Sequence, residues 1–189
     1  MNRALPAFMI FLTICTILIA GTPEKVDNFT LNDYNGKKIS LSDFKDSKAI
    51  VLMFVATQCP VSNAYNERYN KLFEDYSAKN VAFVGINSNK QESVEEIKQH
   101  AAEHGFKFPI LKDINNIIAD KLDAQRTPEI FVVHPTTYEI LYHGRIDDSQ
   151  RESLIKTNDL RAALDEILAG KPVTVKETKA FGCTIKRVK

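Results

Sequence analysis

The sequence has little of what marks the common ligand-binding classes. Its 189 residues include only seven glycines, which form neither a phosphate-binding loop nor a dinucleotide fingerprint. The formal net charge is +1, and no lysine- and arginine-rich block has interleaved aromatic residues, so nucleic acid is not an expected partner. Internal repeats and low-complexity tracts are also lacking. The length suits one well-packed domain and is short for two.

Histidine, a frequent zinc ligand, is also sparse. Of the four histidines, His100 and His104 lie four residues apart on a predicted helix, a spacing that can bind zinc. The sequence offers no further ligand near them, which favours a solvated helix face. Neither a metal nor another cofactor is therefore expected.

The start of the chain differs in composition from the rest. Arg3 provides a positive charge, residues 4–20 are uncharged and mostly apolar, and the segment ends in the small residues Ala20 and Gly21. This pattern is typical of a secretory signal peptide over residues 1–21, with an uncleaved membrane anchor as the competing interpretation. The sequence thus predicts an extracytoplasmic protein, periplasmic or secreted, which contacts a membrane only if this segment is retained.

Cysteine is scarce too, with three in the chain. Cys15 lies in the predicted export segment, which leaves Cys59 and Cys183 for the mature protein. In an oxidising compartment an even number of cysteines favours an internal disulfide. Such a bridge requires the end of the chain to fold back onto the region around Cys59.

Cys59 occupies the most distinctive position in the sequence. It follows the apolar, strand-forming residues 51–55 and precedes Pro60 and an amphipathic helix predicted for residues 61–78. Backbone N–H groups and the dipole at the start of a helix stabilise a thiolate and lower the pKa of such a cysteine. The redox interpretation requires a sulfur that is ionised and reachable by solvent. The alternative is a buried cysteine that acts as a small hydrophobic residue.

Several stretches resemble one family of proteins. Residues 56–62 resemble the active site of the thioredoxin fold, and residues 126–133 look like the strand with a Thr–cis-Pro step that faces that site. Residues 27–44 are similar to the start of redoxin domains. The sequence is therefore identified as a member of the thioredoxin-like superfamily, in its redoxin, AhpC/TSA (peroxiredoxin-like) branch. Residues 181–187 resemble the tail of exported redoxins in this branch.

The resemblance implies an α/β, thioredoxin-like fold. Helices would flank a mixed central sheet, and a β-hairpin would extend the N-terminus. The domain would cover residues 22–170, and residues 171–189 would form a basic C-terminal tail that carries Cys183.

Periodicity and turn residues agree with this order of elements. They predict a hairpin that turns at residues 35–36, strands at 49–55 and 81–86, helices at 93–104, 114–122 and 159–169, and a second hairpin at 127–133 and 139–143. The side chains of Ile117, Ile118 and Leu122 are expected to face the core. Asp147 and Asp148 either line the cleft beside Cys59 or lie in a solvated loop, and we favour the loop.

The resemblance also implies roles for the residues around Cys59. Dithiol oxidoreductases have a second cysteine three positions further on, where this chain has Ser62, which can bond a thiolate but cannot form a disulfide. The peptide before Pro128 is expected to be cis. That geometry would place the Thr127 backbone beside Cys59, where it can pair with a bound polypeptide or thiol substrate.

The residues that peroxiredoxins use are largely replaced. Peroxiredoxins have a proline seven residues before the cysteine, a threonine or serine three before it and an arginine on the facing strand. Here those places hold Leu52, Ala56 and Pro128, whereas Thr57 and Arg126 lie close to the second and third of them. Arg126 either supplies the positive charge or is an exposed loop residue. The departures count against peroxidase activity.

Two classes of function remain. The first is an exported thiol-dependent redox enzyme, either a thiol-disulfide oxidoreductase or a peroxiredoxin-like antioxidant. It would use Cys59 as nucleophile and Cys183 as resolving thiol, with a protein disulfide or a peroxide as substrate and a thiol as reductant. The alternative for Cys183 is a cysteine of the tail that is merely buried or that pairs between chains. The second is a thioredoxin-fold binding module that holds a partner polypeptide in the cleft beside Pro128.

Overall fold

The computed structural model describes residues 23–188. The predicted signal peptide or membrane anchor, residues 1–21, lies outside this range. None of the helices formed by residues 23–188 is long and apolar enough to cross a membrane.

The described residues form nine strands and five α-helices. The strands are β1 (Thr30–Asp33), β2 (Lys38–Ser40), β3 (Ala49–Phe54), β4 (Val81–Asn87), β5 (Ile110–Lys112), β6 (Arg126–Thr127), β7 (Glu129–Val133), β8 (Ile140–Gly144) and β9 (Cys183–Thr184). The helices are α1 (Pro60–Asn63), α2 (Asn66–Ser77), α3 (Val94–Glu103), α4 (Ile117–Lys121) and α5 (Asp159–Leu168).

Seven of these strands form the central sheet, in the order β2-β1-β5-β4-β3-β7-β8. β3 runs parallel to β4, which runs parallel to β5, whereas the remaining pairs are antiparallel. The sheet is therefore mixed, as predicted. The predicted N-terminal hairpin is formed by β1 and β2, turns at Gly36, and joins the edge of the sheet where β1 pairs with β5.

β3 lies at the centre of the sheet and is buried on both faces. All six of its residues are 0% exposed, which explains why its sequence is a continuous apolar run rather than an alternating one. Its odd-numbered side chains pack with apolar residues of α2, α3 and α5. Its even-numbered side chains pack with α4 and the N-terminal hairpin. The loop after β3 is thus attached to the best-packed element of the fold.

The single helix predicted for residues 61–78 is in fact two helices. The break lies at Tyr65, whose N–H donates to the carbonyl of Ser62, three residues back, instead of continuing the α-helical pattern. The Tyr65 side chain is buried, and its hydroxyl donates to Asp147, 82 residues away. Cys59 therefore precedes a helix of one turn, whose dipole is smaller than that of the predicted long helix.

α3 follows its prediction closely. The Ser93 hydroxyl accepts a hydrogen bond from the Glu96 N–H at 3.1 Å, and the Glu96 carboxylate accepts one from the Ser93 N–H at 2.7 Å. The chain then turns at Gly105, where φ is +64°. A polar N-cap and a terminal glycine sufficed to locate this helix.

One prediction for α4 is wrong. Ile117 is 52% exposed, whereas Ile118 and Leu122 are buried as expected. Asn115 and Asn116 both adopt left-handed backbone angles, with φ of +63° and +60°. These two residues interrupt the helical pattern assumed for residues 114–122 and turn Ile117 towards solvent.

The C-terminal tail packs against the domain. Residues 171–188 run across it, and the Val173 and Ile185 side chains are buried, at 8% and 3% exposed. β9 of the tail forms a second, two-stranded sheet with β6. Residues 183–185 are therefore part of the folded structure around Cys59.

Candidate active site

Cys59 lies between the end of β3 and the start of α1, as the N-cap of that helix. Its sulfur forms a disulfide with Cys183, which follows 124 residues later. The Ser62 N–H donates to the Cys59 sulfur at 3.3 Å, and the Thr127 carbonyl oxygen lies 3.3 Å from the same sulfur. The Ser62 N–H would stabilise negative charge on this sulfur when the disulfide opens.

The strand pairing beside Pro128 brings the second cysteine to the first. The Thr127–Pro128 peptide is cis, as the resemblance implied. Immediately before it, β6 pairs antiparallel with β9, and Thr127 lies opposite Cys183. The Cα atoms of the two cysteines are then 6.0 Å apart, within the range that a disulfide spans.

In this oxidised form Cys59 is bonded to Cys183 and carries no thiolate, so the expectation of a solvent-reachable thiolate stays a prediction for the reduced protein. Cys59 is only 4% exposed, because β9 and its disulfide lie over it. Cys183 is partly exposed. The Cys59 sulfur nevertheless contacts the proline loop, so it is covered by the tail rather than displaced into the core.

Ser62 and Thr57 shape the loop around Cys59. The Ser62 side chain is fully buried, and its hydroxyl accepts the Ala56 N–H at 3.2 Å and bonds the Tyr69 hydroxyl at 3.2 Å. The Thr57 N–H donates to Glu92 at 2.8 Å. Among the described residues, the buried Thr57 hydroxyl has no hydrogen-bond partner.

Arg126 is exposed and bonds to the tail. Its guanidinium donates to the Gly182 carbonyl at 3.3 Å and to the Thr184 hydroxyl at 3.2 Å. These two residues flank Cys183. Of the two interpretations from the sequence, the exposed residue agrees with this placement, although Arg126 lies on β6 and not in a loop.

Glu92 is a site residue that the sequence did not reveal. Its carboxylate is buried and accepts the N–H groups of Thr57 at 2.8 Å and Gln58 at 3.1 Å, the two residues before Cys59. It also accepts the side-chain amides of Asn87 and Asn89. A glutamate 33 residues beyond the cysteine carries no local signal of this role.

Asp147 is not the solvated loop residue that was predicted. It is 2% exposed, and its carboxylate accepts hydrogen bonds from Arg68 at 2.7 Å and from the Tyr65 hydroxyl at 2.9 Å. The Arg68 guanidinium also stacks 3.6 Å from the centre of the Tyr65 ring. An ion pair with α2 thus compensates for burial of the charge.

Burial is the main cause of the pKa shifts of the groups packed near the loop that carries Cys59. Burial raises the pKa of Tyr69, whose hydroxyl bonds Ser62, and also that of Tyr65. Burial lowers the pKa of Lys112, whose ammonium donates to the main-chain carbonyl of Glu92 at 2.7 Å. Both tyrosines are therefore neutral hydrogen-bonding groups at neutral pH.

The histidine pair at the C-terminal end of α3 packs against Phe106. The rings of His100 and His104 are 4.3 Å apart, and both rings contact Phe106. Burial is the main cause that lowers the pKa of His100. Residues 23–188 contain no group of three or more histidine, cysteine or acidic side chains arranged to hold a metal ion.

Gly182 allows β9 to approach β6 closely. Its φ is +146°, and a Cβ atom there would collide with the main-chain carbonyl of Thr127. We expect Gly182→Ala to weaken the Cys59–Cys183 disulfide by about 1–3 kcal/mol, because the substitution forces β9 away from β6. The fraction of oxidised protein in glutathione buffers of graded potential measures this loss.

Gly105→Ala is the matched control for that variant. Gly105 also has a positive φ, but a Cβ there meets no atom within 4 Å. Its substitution should lower the free energy of unfolding and leave the disulfide equilibrium unchanged. Equal disulfide equilibria in both variants would contradict the role given to Gly182.

Comparison with known proteins connects this site to a family. The chain matches the AhpC/TSA family over residues 23–149, which is more than half of its length. A thiol-disulfide oxidoreductase, ResA of Bacillus subtilis (strain 168), is 30% identical over 109 residues. The match covers 57% of this chain and 59% of the relative, so the chain spans about three fifths of that protein's length.

Solved structures agree with the fold. An uncharacterized conserved protein from Geobacillus kaustophilus has 34% sequence identity and a TM-score of 0.81, over 89% of this chain and 93% of that one. Peroxidoxin BcpB from Mycobacterium tuberculosis has a TM-score of 0.60 at 22% identity, over 78% of this chain and 94% of that one. The second likeness concerns the fold alone. The predicted thioredoxin-like fold is confirmed.

Proposed function

The chain belongs to the AhpC/TSA family, and we propose that it is a thiol-disulfide oxidoreductase whose redox couple is Cys59 and Cys183. The observation that carries this proposal is the disulfide between a cysteine at a strand–helix junction and a cysteine on the strand paired beside Pro128. The likeness to a Bacillus subtilis thiol-disulfide oxidoreductase supports it further.

In the proposed cycle the pair exchanges two electrons with partner thiols. Two partner thiols lose two protons and two electrons and become a disulfide, while the Cys59–Cys183 disulfide becomes two thiols. In the opposite direction the reduced pair opens a substrate disulfide, and a thiol reductant restores the reduced pair. Thiol or disulfide compounds are thus the proposed substrates.

Peroxide reduction is the second candidate, because a peroxidase with a resolving cysteine would end in the same disulfide. The Cys59 thiolate would attack the terminal oxygen of a peroxide ROOH, and the O–O bond would break. The RO⁻ group would take up a proton and leave as ROH, and Cys59 would become a sulfenic acid. The Cys183 thiol would then displace water to form the disulfide. Leu52 and Ala56, in place of the peroxiredoxin proline and threonine, make this candidate the weaker one.

A binding module without redox turnover is less well supported. It would hold its partner polypeptide along β6, beside Pro128. β9 of the same chain already pairs with that strand. A partner would therefore have to displace the tail before it could bind there.

Parallel assays of the wild type, Cys59→Ser and Cys183→Ser test the proposal. We expect the wild type to catalyse reduction of a protein disulfide by a thiol reductant, and both variants to fall to the uncatalysed rate, because each lacks one half of the couple. Turnover of insulin disulfides, followed by turbidity, and consumption of hydrogen peroxide are the two measurements.

The outcomes separate the three functions. Peroxide consumption without disulfide reduction would assign the peroxidase function instead. Absence of both activities in the wild type, with a disulfide that exchanges with no thiol, would favour the binding module. The control is wild-type protein that is reduced and then alkylated at both thiols. Any activity that it retains does not use the Cys59–Cys183 couple.

We also propose that the couple works outside the cytoplasm, where disulfides persist. The apolar composition of residues 4–20 supports this location. Fractionation of cells that express the full chain, followed by immunoblotting of each fraction, tests it. Recovery of the protein only in the cytosolic fraction would contradict it.

A further inference from the structure

The two sulfurs of the disulfide differ in their surroundings. The Cys59 sulfur has the Ser62 N–H and the Thr127 carbonyl each at 3.3 Å, and the residue is 4% exposed. Cys183 lies on β9 of the two-stranded sheet and is partly exposed. A nucleophile must approach the attacked sulfur from the side opposite the S–S bond, so this difference in access decides which sulfur it meets.

The tail that covers Cys59 has attachments of its own beyond the disulfide. They are the Ile185 N–H to the Gln125 carbonyl (3.0 Å), the Lys186 N–H to Asn89 (2.7 Å), the Val188 N–H to Asn116 (2.7 Å), and Arg187 to Asp120 (2.7 Å) and to the Ala124 carbonyl (2.6 Å). The buried Ile185 side chain adds apolar contact. None of these contacts uses the disulfide, so β9 keeps attachments to the domain that do not depend on that bond.

We propose that external thiols and disulfides exchange with Cys183, and that Cys59 acts only from inside, on Cys183. This assignment rests on the proposed function and specifies which sulfur a partner meets. It reverses the order implied by the resemblance, in which Cys59 meets the substrate and Cys183 resolves the intermediate.

The exchange then runs in two balanced steps. A partner thiol loses its proton, and its thiolate attacks the Cys183 sulfur, which forms a new S–S bond while the bond to Cys59 breaks. The electron pair stays on Cys59 as a thiolate, to which the Ser62 N–H donates. A second partner thiolate attacks the partner's own sulfur, forms the partner disulfide and releases Cys183 as a thiolate.

Arg126 adds positive charge to the segment that carries Cys183. Its exposed guanidinium bonds to Gly182 and Thr184, on either side of Cys183. A positive charge there attracts an incoming thiolate and an anionic thiol compound. The charged group therefore lies next to the segment of the tail that the partner is proposed to meet.

Single-cysteine variants with oxidised glutathione as probe test the inference. In Cys59→Ser the remaining Cys183 should form a mixed disulfide at least about tenfold faster than Cys59 does in Cys183→Ser, which corresponds to about 1.4 kcal/mol in activation free energy. Mass spectrometry of acid-quenched samples measures the rates. Tryptic cleavage yields the separate peptides 49–68 and 180–186 for assignment.

Ile185→Ala in the Cys183→Ser background tests whether the tail causes the difference. Release of the tail should raise the rate at Cys59 towards that of Cys183, whereas a difference in thiol ionisation alone would leave it unchanged. Faster reaction at Cys59 than at Cys183, or no response to Ile185→Ala, would overturn the inference and leave the proposed function intact. Failure of both cysteines to form a mixed disulfide would overturn the proposed function.

Discussion

Glu92→Ala is expected to lower the free energy of unfolding by about 3–5 kcal/mol, one of the largest effects available to a single substitution in this chain. The reason is the number of donors that depend on one carboxylate. The N–H groups of Thr57 and Gln58 and the side-chain amides of Asn87 and Asn89 all lose their acceptor. Each buried donor left unpaired costs about 1–3 kcal/mol, less where water can enter.

The same substitution should disturb both cysteines. Thr57 and Gln58 immediately precede Cys59, so their release frees the loop that carries the inner sulfur. Asn89 bonds Glu92 through its amide nitrogen and accepts the Lys186 N–H of the tail through its oxygen. We therefore expect disulfide formation in the reduced variant to slow by about 10²-fold, the usual effect of a misplacement near 1 Å.

Urea unfolding of the oxidised protein and quenched-flow oxidation of the reduced protein measure the two effects. Glu95→Ala is the matched control, because Glu95 lies three residues further on and is exposed in the first turn of α3. It should change stability by no more than about 1 kcal/mol, through the helix dipole, and leave the oxidation rate unchanged. If Glu92→Ala lowers the free energy of unfolding by less than about 1 kcal/mol, water must accept the hydrogen bonds of the four donors in place of the carboxylate.

The features that local pattern determines were predictable. The apolar run of β3, the Ser93–Glu96 capping box of α3 and the turn at Gly36 all follow from residues within a few positions of one another. Resemblance supplied the cis peptide before Pro128, which a dipeptide preference alone would not predict.

The features that the sequence did not reveal depend on contacts across the fold. The break at Tyr65 accompanies its hydrogen bond to Asp147, 82 residues away, and no helical periodicity encodes that partner. The role of Glu92 depends on donors 34 and 35 residues before it. The count of cysteines favoured a disulfide, but the attachment of the tail that covers Cys59 depends on residues such as Asn89, on a different loop.

The Cys59–Cys183 disulfide is expected to raise the free energy of unfolding by about 4–5 kcal/mol, mainly by restricting the unfolded chain. The two cysteines are 124 residues apart, and closing a loop of that length removes much conformational entropy before folding begins. For a protein of this size the change corresponds to a rise in Tm of roughly 10–15 °C. Calorimetry of the oxidised and the reduced wild type measures it.

Cys183→Ser separates the effect of the cross-link from loss of the tail. The tail keeps its hydrogen bonds to Gln125, Asn89 and Asn116 in this variant, so its stability should match that of the reduced wild type within about 1 kcal/mol. Ile185→Ala should lower the Tm of oxidised and reduced protein alike. An oxidised protein no more stable than the reduced one would contradict the prediction.

The stabilisation of the fold by the disulfide also sets how strong a reductant must be to open that disulfide, because folding and disulfide formation are linked. If the disulfide stabilises the fold by about 4–5 kcal/mol, the fold stabilises the disulfide by the same amount relative to the unfolded chain. At about 30 mV for each 1.4 kcal/mol, the reduction potential of the folded couple should lie roughly 100 mV below that of the chain in urea. Dithiol buffers with and without urea test this difference. Equal reduction potentials for the folded couple and for the chain in urea would show that the tail leaves the domain on reduction. Cys59 would then be open to partners directly.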